Sequence, residues 1–193
     1  MALKLHSAEV VGLSGKIIDV EIDLSQGLFS FTIVGLADKS VAESKERISA
    51  AIKSLGARSP QKKNQRVVIA LAPADLKKEG PVFDLAIALA YLLASKQTNF
   101  DPKRKIFLGE LALDGSLRPI KGILALAEEA VRSGFSELYV PNGNGVEAGL
   151  VDGVAVFEAE SLEQILNHLE GKVLLKEVSK KLINFKDQIY PVD

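Results

Sequence analysis

Residues 83–94 constrain the fold most strongly, because a helix over this segment is apolar on almost every side. Such a helix cannot lie on a solvated surface and must be covered by other elements on most of its sides. The run is also too short for the roughly 18 apolar residues that indicate a membrane span. The segment therefore predicts a central helix inside a folded core.

Strand patterns lie on both sides of this helix. Ile18, Val20, Ile22 and Leu24 alternate with acidic residues, so one face of an extended segment is apolar and the other is charged. This alternation predicts a half-buried strand, and the glycines within residues 12–15 predict a turn before it, in an antiparallel arrangement. Further strands are predicted at residues 29–34, 67–72, 105–113, 138–140 and 154–157.

Helical periodicity marks three more segments. Apolar residues recur every three or four positions over residues 40–55, where Ser40 and Glu43 have the spacing of a capping box. Ser161 begins a second segment with the same spacing, and residues 123–133 form a third that a glycine closes. Strands and helices that alternate in this way predict an α/β fold.

The composition is that of an ordinary globular domain. Lysine and arginine number 24 against 25 for aspartate and glutamate, so overall charge predicts neither a nucleic acid nor a membrane as partner. The 193 residues suit one domain, and the absence of cysteine removes disulfides, thiolate metal sites and cysteine nucleophiles. The sequence shows no signal peptide or membrane span, so the cytoplasm is the expected location.

Three long stretches resemble known proteins. Residues 27–51, GLFSFTIVGLADKSVAESKERISAA, and 69–89, IALAPADLKKEGPVFDLAIAL, resemble the N-terminal domain of the ComM/YifB family of magnesium-chelatase-related AAA+ ATPases. Residues 108–130, LGELALDGSLRPIKGILALAEEA, resemble both that family and the proteolytic domain of Lon. The resemblance covers residues 1–169, and long stretches in the same order are far more specific than short motifs.

This resemblance implies a fold and a context. The fold would be that of the Lon proteolytic domain, an α/β fold of the ribosomal-protein and GHMP-kinase type with a mixed sheet and packed helices. A Lon-like domain would span residues 1–171, and residues 172–193 would be a linker or docking tail toward a AAA+ module. In full-length relatives that module forms hexamers and acts on DNA in natural transformation and recombination. The implied partners are this module, neighbouring subunits and DNA.

The sequence shows no phosphate-binding loop of the P-loop kind. The pattern G-x-x-x-x-G-K-[ST], whose backbone amides cradle phosphates, does not occur in it. The chain is therefore expected to bind no cofactor and to hydrolyse no ATP, and ATP and magnesium are expected only in the AAA+ module.

The chemistry of the Lon protease is also expected to be absent. Lon activates a serine with a lysine, and both groups must lie within hydrogen-bond reach. The resemblance places Val82 at the serine and Leu124 at the lysine, and neither side chain transfers a proton. Residues 60–94 contain no serine, threonine or cysteine, and Lys121 is interpreted as a surface residue of a turn. The alternative is an enzyme of the same fold, either a peptidase with an unconventional nucleophile or a small-molecule kinase.

Two basic segments are candidates for phosphate contact. Arg58, Lys62, Lys63 and Arg66 lie in residues 57–66, an expected exposed loop without an acid. Lys77 and Lys78 precede a glycine-proline turn at the start of the central helix, where an anion site is one interpretation and a solvated loop is the favoured one. Because a related Lon-like domain of the RadA recombinase engages DNA, contact with DNA is kept as a hypothesis beside the simpler one of a solvated surface.

No metal site is expected. The two histidines, His6 and His168, lie far apart in the sequence and fit ordinary positions in a strand and a helix. Asp84, at the start of the apolar helix, needs a hydrogen-bond partner if it is buried, and a structural capping role is favoured for it.

Overall fold

The computed structural model describes residues 3–62 and 64–179 and shows a mixed α/β structure. Its strands are β1 (Leu3–Val11), β2 (Ser14–Gln26), β3 (Ser30–Val34), β4 (Gln65–Ala72), β5 (Lys105–Phe107), β6 (Glu110–Leu111), β7 (Leu117–Arg118), β8 (Glu137–Pro141) and β9 (Ala155–Ala159). Its α-helices are α1 (Lys39–Ser54), α2 (Asp84–Ala94), α3 (Ile123–Arg132), α4 (Gly145–Ala148) and α5 (Leu162–Leu169).

The first half of the chain forms a four-stranded sheet in the order β1-β2-β4-β3. β1 and β2 form the predicted antiparallel hairpin, and β2 pairs with β4 in the same sense. β3 joins β4 in parallel, because α1 carries the chain back to the starting end of the sheet. The second half forms a three-stranded parallel sheet, β5-β8-β9, and the short hairpin β6-β7.

The central helix is confirmed. Every residue from Asp84 to Leu92 is buried, and α2 packs against β1, β2 and α1. The inward face of β2 supplies Ile18, Val20 and Ile22 to the same core, as the alternation of apolar residues predicts. Burial on several sides removes the apolar surface of this helix from water, which is the main source of its stability.

A second apolar cluster surrounds α3. Ile123, Leu126 and Ala130 pack there with residues of β5, β8 and β9, and the half-buried Val82 contacts both clusters. α3 approaches β2 closely, because a Cβ on Gly15 would lie 2.5 Å from the carbonyl oxygen of Ala125. Only glycine permits this contact without a shift of one of the two elements.

Several predicted boundaries need correction. The side chain that caps α1 belongs to Asp38, which accepts a hydrogen bond from the Val41 N–H at 2.7 Å, and not to Ser40. The strand predicted at 105–113 is two strands, because the chain leaves the second sheet near Gly109, whose N–H donates to the Val82 carbonyl. The capping role of Ser161 in α5 is confirmed.

Glu177 and Val178 contact the second sheet. The Val178 N–H donates to the Val156 carbonyl, and Glu177 forms an isolated antiparallel bridge with Phe157. Residues 180–193, most of the predicted tail, lie outside the described residues, so the domain boundary at residue 171 stays a prediction.

Candidate functional site

A cleft of about 630 Å³ opens between the end of β1, the segment 76–82 and the turn 119–121. This volume falls within the range of small-molecule sites. Among the described residues, those that line the cleft are aliphatic, glycine, proline, lysine or glutamate, and none carries a hydroxyl or a thiol. The cleft therefore offers carboxyl and amino groups as its chemical functions.

The two residues expected at the positions of the Lon serine and lysine do not both line this cleft. Val82 lines it, whereas Leu124 is 37 % exposed on α3 and is not among the described lining residues. Pro81 and Lys121 also line it, and Lys121 is exposed as expected. Proton transfer needs a donor and an acceptor within hydrogen-bond reach, and two aliphatic side chains provide neither.

The expectation of a solvated Lys77–Glu79 loop is wrong for Lys78. Its side chain is fully buried, and its Nζ donates to the carbonyl of Leu76 at 2.6 Å and to that of Pro73. Burial lowers the pKa of the Lys78 ammonium. An ammonium held in this way ties the loop together and is closed to a phosphate at the surface.

Lys77 remains exposed but is paired. Its Nζ lies 2.6 Å from Oε1 of Glu79, and both side chains are largely exposed. An exposed pair of this kind is weak and exchanges readily with solvent. Lys77 is thus accessible to a ligand, although a carboxylate already neutralises it.

Glu9 is a residue of the cleft that the sequence patterns do not single out. It is only 5 % exposed, and its Oε2 accepts a hydrogen bond from the Glu79 N–H at 3.1 Å. Its Oε1 is buried and has no hydrogen-bond partner among the described residues. Burial raises the pKa of the Glu9 carboxyl, while that hydrogen bond and the charge of Lys78 oppose the rise. The signal in the sequence that could have identified Glu9 is an acidic residue at a position of β1 whose side chain points inward.

The buried carboxylate of Asp84 has hydrogen-bond partners. Its carboxylate is fully buried and accepts from Arg47 Nε at 2.7 Å, from Arg47 Nη2 at 3.2 Å and from the Leu111 N–H at 3.2 Å. Burial raises the pKa of the Asp84 carboxyl, and the hydrogen bonds from Arg47 oppose the rise. The group joins α1, α2 and β6, so its role is structural. The capping role favoured from the sequence is wrong, because no side chain caps the start of α2.

The comparison with protein families shows to which family the chain belongs. The family model for subunit ChlI of Mg-chelatase matches residues 20–144, which include α1, α2, α3 and most of both sheets. The chain belongs to the ChlI family.

Curated relatives of this ChlI-family chain confirm the resemblance to YifB and ComM. YifB of Escherichia coli is 39% identical over 173 residues, which are 89% of this chain and 33% of that protein. Competence protein ComM of Haemophilus influenzae is 34% identical over 186 residues, 94% of this chain and 36% of that protein. DNA repair protein RadA of Streptococcus pyogenes is 30% identical over 92 residues, 48% of this chain and 20% of that protein. The chain spans about a third of the length of YifB and ComM.

The basic loop of the ChlI-family chain lies apart from the cleft. Arg58 and Arg66 are exposed, Lys62 ends a 3-10 turn that begins at Pro60, and Lys63 lies outside the described residues. The predicted loop is shorter than expected, because β4 begins at Gln65 and includes Arg66. Since β4 rises about 3.3 Å per residue, its two ends lie about 23 Å apart. The loop precedes β4 and Lys77 follows it, so the two candidate segments do not form one patch.

The histidines have structural partners. His6 Nδ1 lies 2.9 Å from Asp19 Oδ1, and His168 Nδ1 accepts from the Leu175 N–H at 2.9 Å. Burial lowers the pKa of both imidazoles. Within residues 3–62 and 64–179, no group of three metal-ligating side chains occurs. In the same part of the chain, none of the helices combines the length and apolarity that crossing a bilayer requires.

Proposed function

We propose that this chain is the non-catalytic, Lon-like N-terminal domain of a ComM-type AAA+ ATPase, and that it acts in assembly of the motor and in engaging DNA. The observation that carries the proposal is the lining of the cleft, where the resemblance places Val82 at the position of the Lon serine and Leu124 at that of the lysine. Val82 lies in a cleft without a lining hydroxyl or thiol among the described residues, and Leu124 projects from α3 outside it. A domain of this kind acts through its surfaces.

The family and the lengths of the relatives support this context. ComM is named a competence protein, and this chain covers about a third of it. The remaining two thirds would hold the AAA+ module, which would bind ATP and magnesium and assemble as a hexamer. The four-stranded mixed sheet with its central helix fits the Lon proteolytic fold, with the domain ending near residue 171.

The gene tests this context directly. A G-x-x-x-x-G-K-[ST] motif in the reading frame after codon 193 is the expected finding. A frame that ends there, or that continues into a different kind of domain, would contradict the assignment to a AAA+ ATPase.

Contact with DNA is assigned to the basic loop, Arg58, Lys62, Lys63 and Arg66. Arg58 and Arg66 are exposed, and no salt bridge holds either of them among the described residues. Exposed guanidinium groups that contact phosphates displace the counterions condensed on the DNA, which makes binding depend on salt. RadA, which shares sequence with about half of this chain, is named a DNA repair protein.

Fluorescence anisotropy with a labelled duplex at low salt tests the DNA contact. We expect binding that weakens as salt rises, and at least a tenfold loss of affinity when Arg58, Lys62 and Arg66 are replaced by alanine. The matched control removes three exposed lysines elsewhere, Lys16→Ala, Lys121→Ala and Lys172→Ala, and is expected to change affinity less than threefold. Equal losses in both variants would mean unspecific attraction, and no binding would remove DNA from the proposal.

The alternative function is enzymatic, as a peptidase with an unconventional nucleophile or a small-molecule kinase. The carboxyl groups of the cleft are the feature that supports this enzymatic alternative. Purified protein incubated with unfolded casein, and separately with ATP, is expected to release neither peptides nor phosphate above buffer. Turnover that a single substitution in the cleft, such as Glu9→Gln, abolishes would establish an enzyme and overturn the non-catalytic assignment.

A further inference from the structure

One wall of the cleft carries a carboxyl group that is only half satisfied. Glu9 is 5 % exposed, and one of its oxygens accepts the Glu79 N–H while the other has no partner among the described residues. A buried acceptor without a donor destabilises a fold, so such groups are rare and call for an explanation. A ligand that carries a hydrogen-bond donor into the cleft would explain this unpaired oxygen.

The neighbouring carboxylates are already paired. Glu79 Oε1 lies 2.6 Å from the ammonium of Lys77, and Glu110 Oε1 lies 3.0 Å from Nη1 of Arg118. Among the three glutamates that line the cleft, Glu9 alone forms no ion pair within 4.0 Å among the described residues.

The nearest buried cation does not satisfy Glu9 either. Lys78 gives its hydrogens to the carbonyls of Pro73 and Leu76, so it reduces the negative potential at Glu9 without bonding to it. Lys121 lies exposed at the rim of the cleft, where water screens its charge. The position beside Glu9 therefore remains favourable for a positive group.

Aliphatic side chains form part of the cleft wall. Val10, Val82, Ile120 and Leu126 line it, and Val10 is 40 % exposed. Aliphatic walls next to a carboxylate suit a side chain that buries an alkyl stem and presents a charge at its end. An anion would be repelled by Glu9, and a purely apolar ligand would leave its free oxygen without a donor.

We infer that the cleft binds an organic cation, an ammonium or guanidinium group on a short aliphatic stem, with the Glu9 carboxylate as its anchor. Free alkyl amines and the lysine or arginine side chains of a peptide share this chemistry. The inference does not depend on DNA contact, because the basic loop lies at the other end of β4.

Nuclear magnetic resonance on the full 193-residue chain tests this inference at neutral pH. Amide shifts are followed while n-butylammonium, n-butylguanidinium or n-butanol is added at constant ionic strength. We expect saturable shifts at Gly80, Val82 and Ile120 with the two cations and at least tenfold weaker binding of the alcohol. Shifts that do not saturate, or that are equal for the alcohol, would overturn the inference.

Substitution of the anchor provides the decisive comparison. Glu9→Gln keeps an oxygen for the Glu79 N–H and removes the charge, so we expect at least a tenfold loss of cation affinity. Glu43→Gln removes the same charge from an exposed position on α1 and is expected to leave affinity unchanged. Unchanged binding in Glu9→Gln would refute the role of Glu9.

Two further measurements complete the test. If Glu9→Gln does not fold, the carbon-13 shift of the Glu9 carboxyl is titrated in the native chain, where saturating n-butylammonium is expected to lower the pKa of this group and an unchanged pKa would refute the contact. Acetyl-Ala-Arg-Ala-amide is then compared with n-butylguanidinium. Tighter binding of the peptide identifies a peptide side chain as the occupant, and equal or weaker binding identifies a free amine or guanidine.

Discussion

Arg47 and Asp84 form a buried charge pair in which each residue depends on the other. The Arg47 side chain is 19% exposed and that of Asp84 is fully buried, with Nε and Oδ2 2.7 Å apart. Removing one partner of such a pair leaves a buried charge without compensation. Arg47 also donates to Ser44 Oγ at 2.8 Å and to the Ser40 carbonyl at 3.3 Å, so its loss disturbs the first turns of α1 as well.

We predict that Arg47→Ala lowers the free energy of unfolding by about 3–5 kcal/mol. Urea denaturation followed by circular dichroism measures this change. Arg132→Ala is the control, because Arg132 is 68% exposed in its pair with Glu129, and its loss should cost less than about 1 kcal/mol. The double variant Arg47→Met, Asp84→Leu should be more stable than Arg47→Ala, and a double variant that is less stable would contradict this account.

Glu9 gives stability a dependence on pH. Because burial raises the pKa of this carboxyl, the folded chain binds its proton more tightly than the unfolded chain does. The contribution of Glu9 to the free energy of unfolding should therefore be highest below the ordinary pKa of 4.5 and should fall as pH rises through the raised pKa of the folded state. Lys78, Glu79 and Asp38 are the charged groups that act on Glu9, and all three are present in both chains being compared.

We predict that Glu9→Gln is more stable than the native chain at pH 7 and that the difference disappears near pH 4. Thermal unfolding of both proteins between pH 4 and pH 8 measures it. The exposed change Glu43→Gln should give a curve parallel to that of the native chain. A Glu9→Gln variant less stable at pH 7 than the native chain would show that the charged form of Glu9 is favoured by folding.

At the scale of an element, Asp38 connects α1 to the cleft. One of its oxygens caps the helix through the Val41 N–H, and the other accepts from the Gly80 N–H at 3.3 Å. The first contact satisfies a backbone donor that has no partner within the helix. The second joins the start of α1 to the loop that lines the cleft, so a single side chain positions both.

We predict that Asp38→Ala lowers the free energy of unfolding by about 1–2 kcal/mol, through the lost cap and the lost loop contact. Ser40→Ala is the matched control and should cost less than about 0.5 kcal/mol, because no side-chain hydrogen bond of Ser40 occurs among the described residues. Urea denaturation separates the two variants. A larger cost for Ser40→Ala would restore the capping box at residues 40–43 that the sequence pattern predicts.

At the scale of the whole molecule, the two apolar clusters share residues and neighbours. Val82 contacts both, and β1 contributes Leu5 to the first and Ala8 to the second. Clusters that share a strand in this way lose their packing together, because separating them exposes apolar surface in both.

We predict a single cooperative unfolding transition. Truncating a core residue in either cluster should move this whole transition to lower temperature. Leu89→Ala in the first cluster and Leu126→Ala in the second should each cost about 2–5 kcal/mol. Scanning calorimetry should show one peak in each variant, with equal calorimetric and van't Hoff enthalpies. Two separate peaks, of which only one moves in each variant, would show that the clusters unfold independently.

Patterns within single segments were sufficient for most of the elements and for the affiliation, although they predicted neither β7 nor α4. The alternation at Ile18, Val20 and Ile22 predicts β2, and the apolar run predicts α2, because burial of one face or of all faces depends on neighbours within a few positions. The long matching stretches predicted the relation to ComM and YifB in the same way.

Only the tertiary structure decided which polar groups meet. Asp84 lies 37 positions from Arg47, and Glu9 lies 70 positions from the N–H of Glu79 that it accepts. The burial of Lys78 likewise depends on a loop folding around it. Local sequence determines secondary structure because its forces act over a few residues, whereas the pairing of a buried charge depends on distant segments that only the packed fold brings into contact.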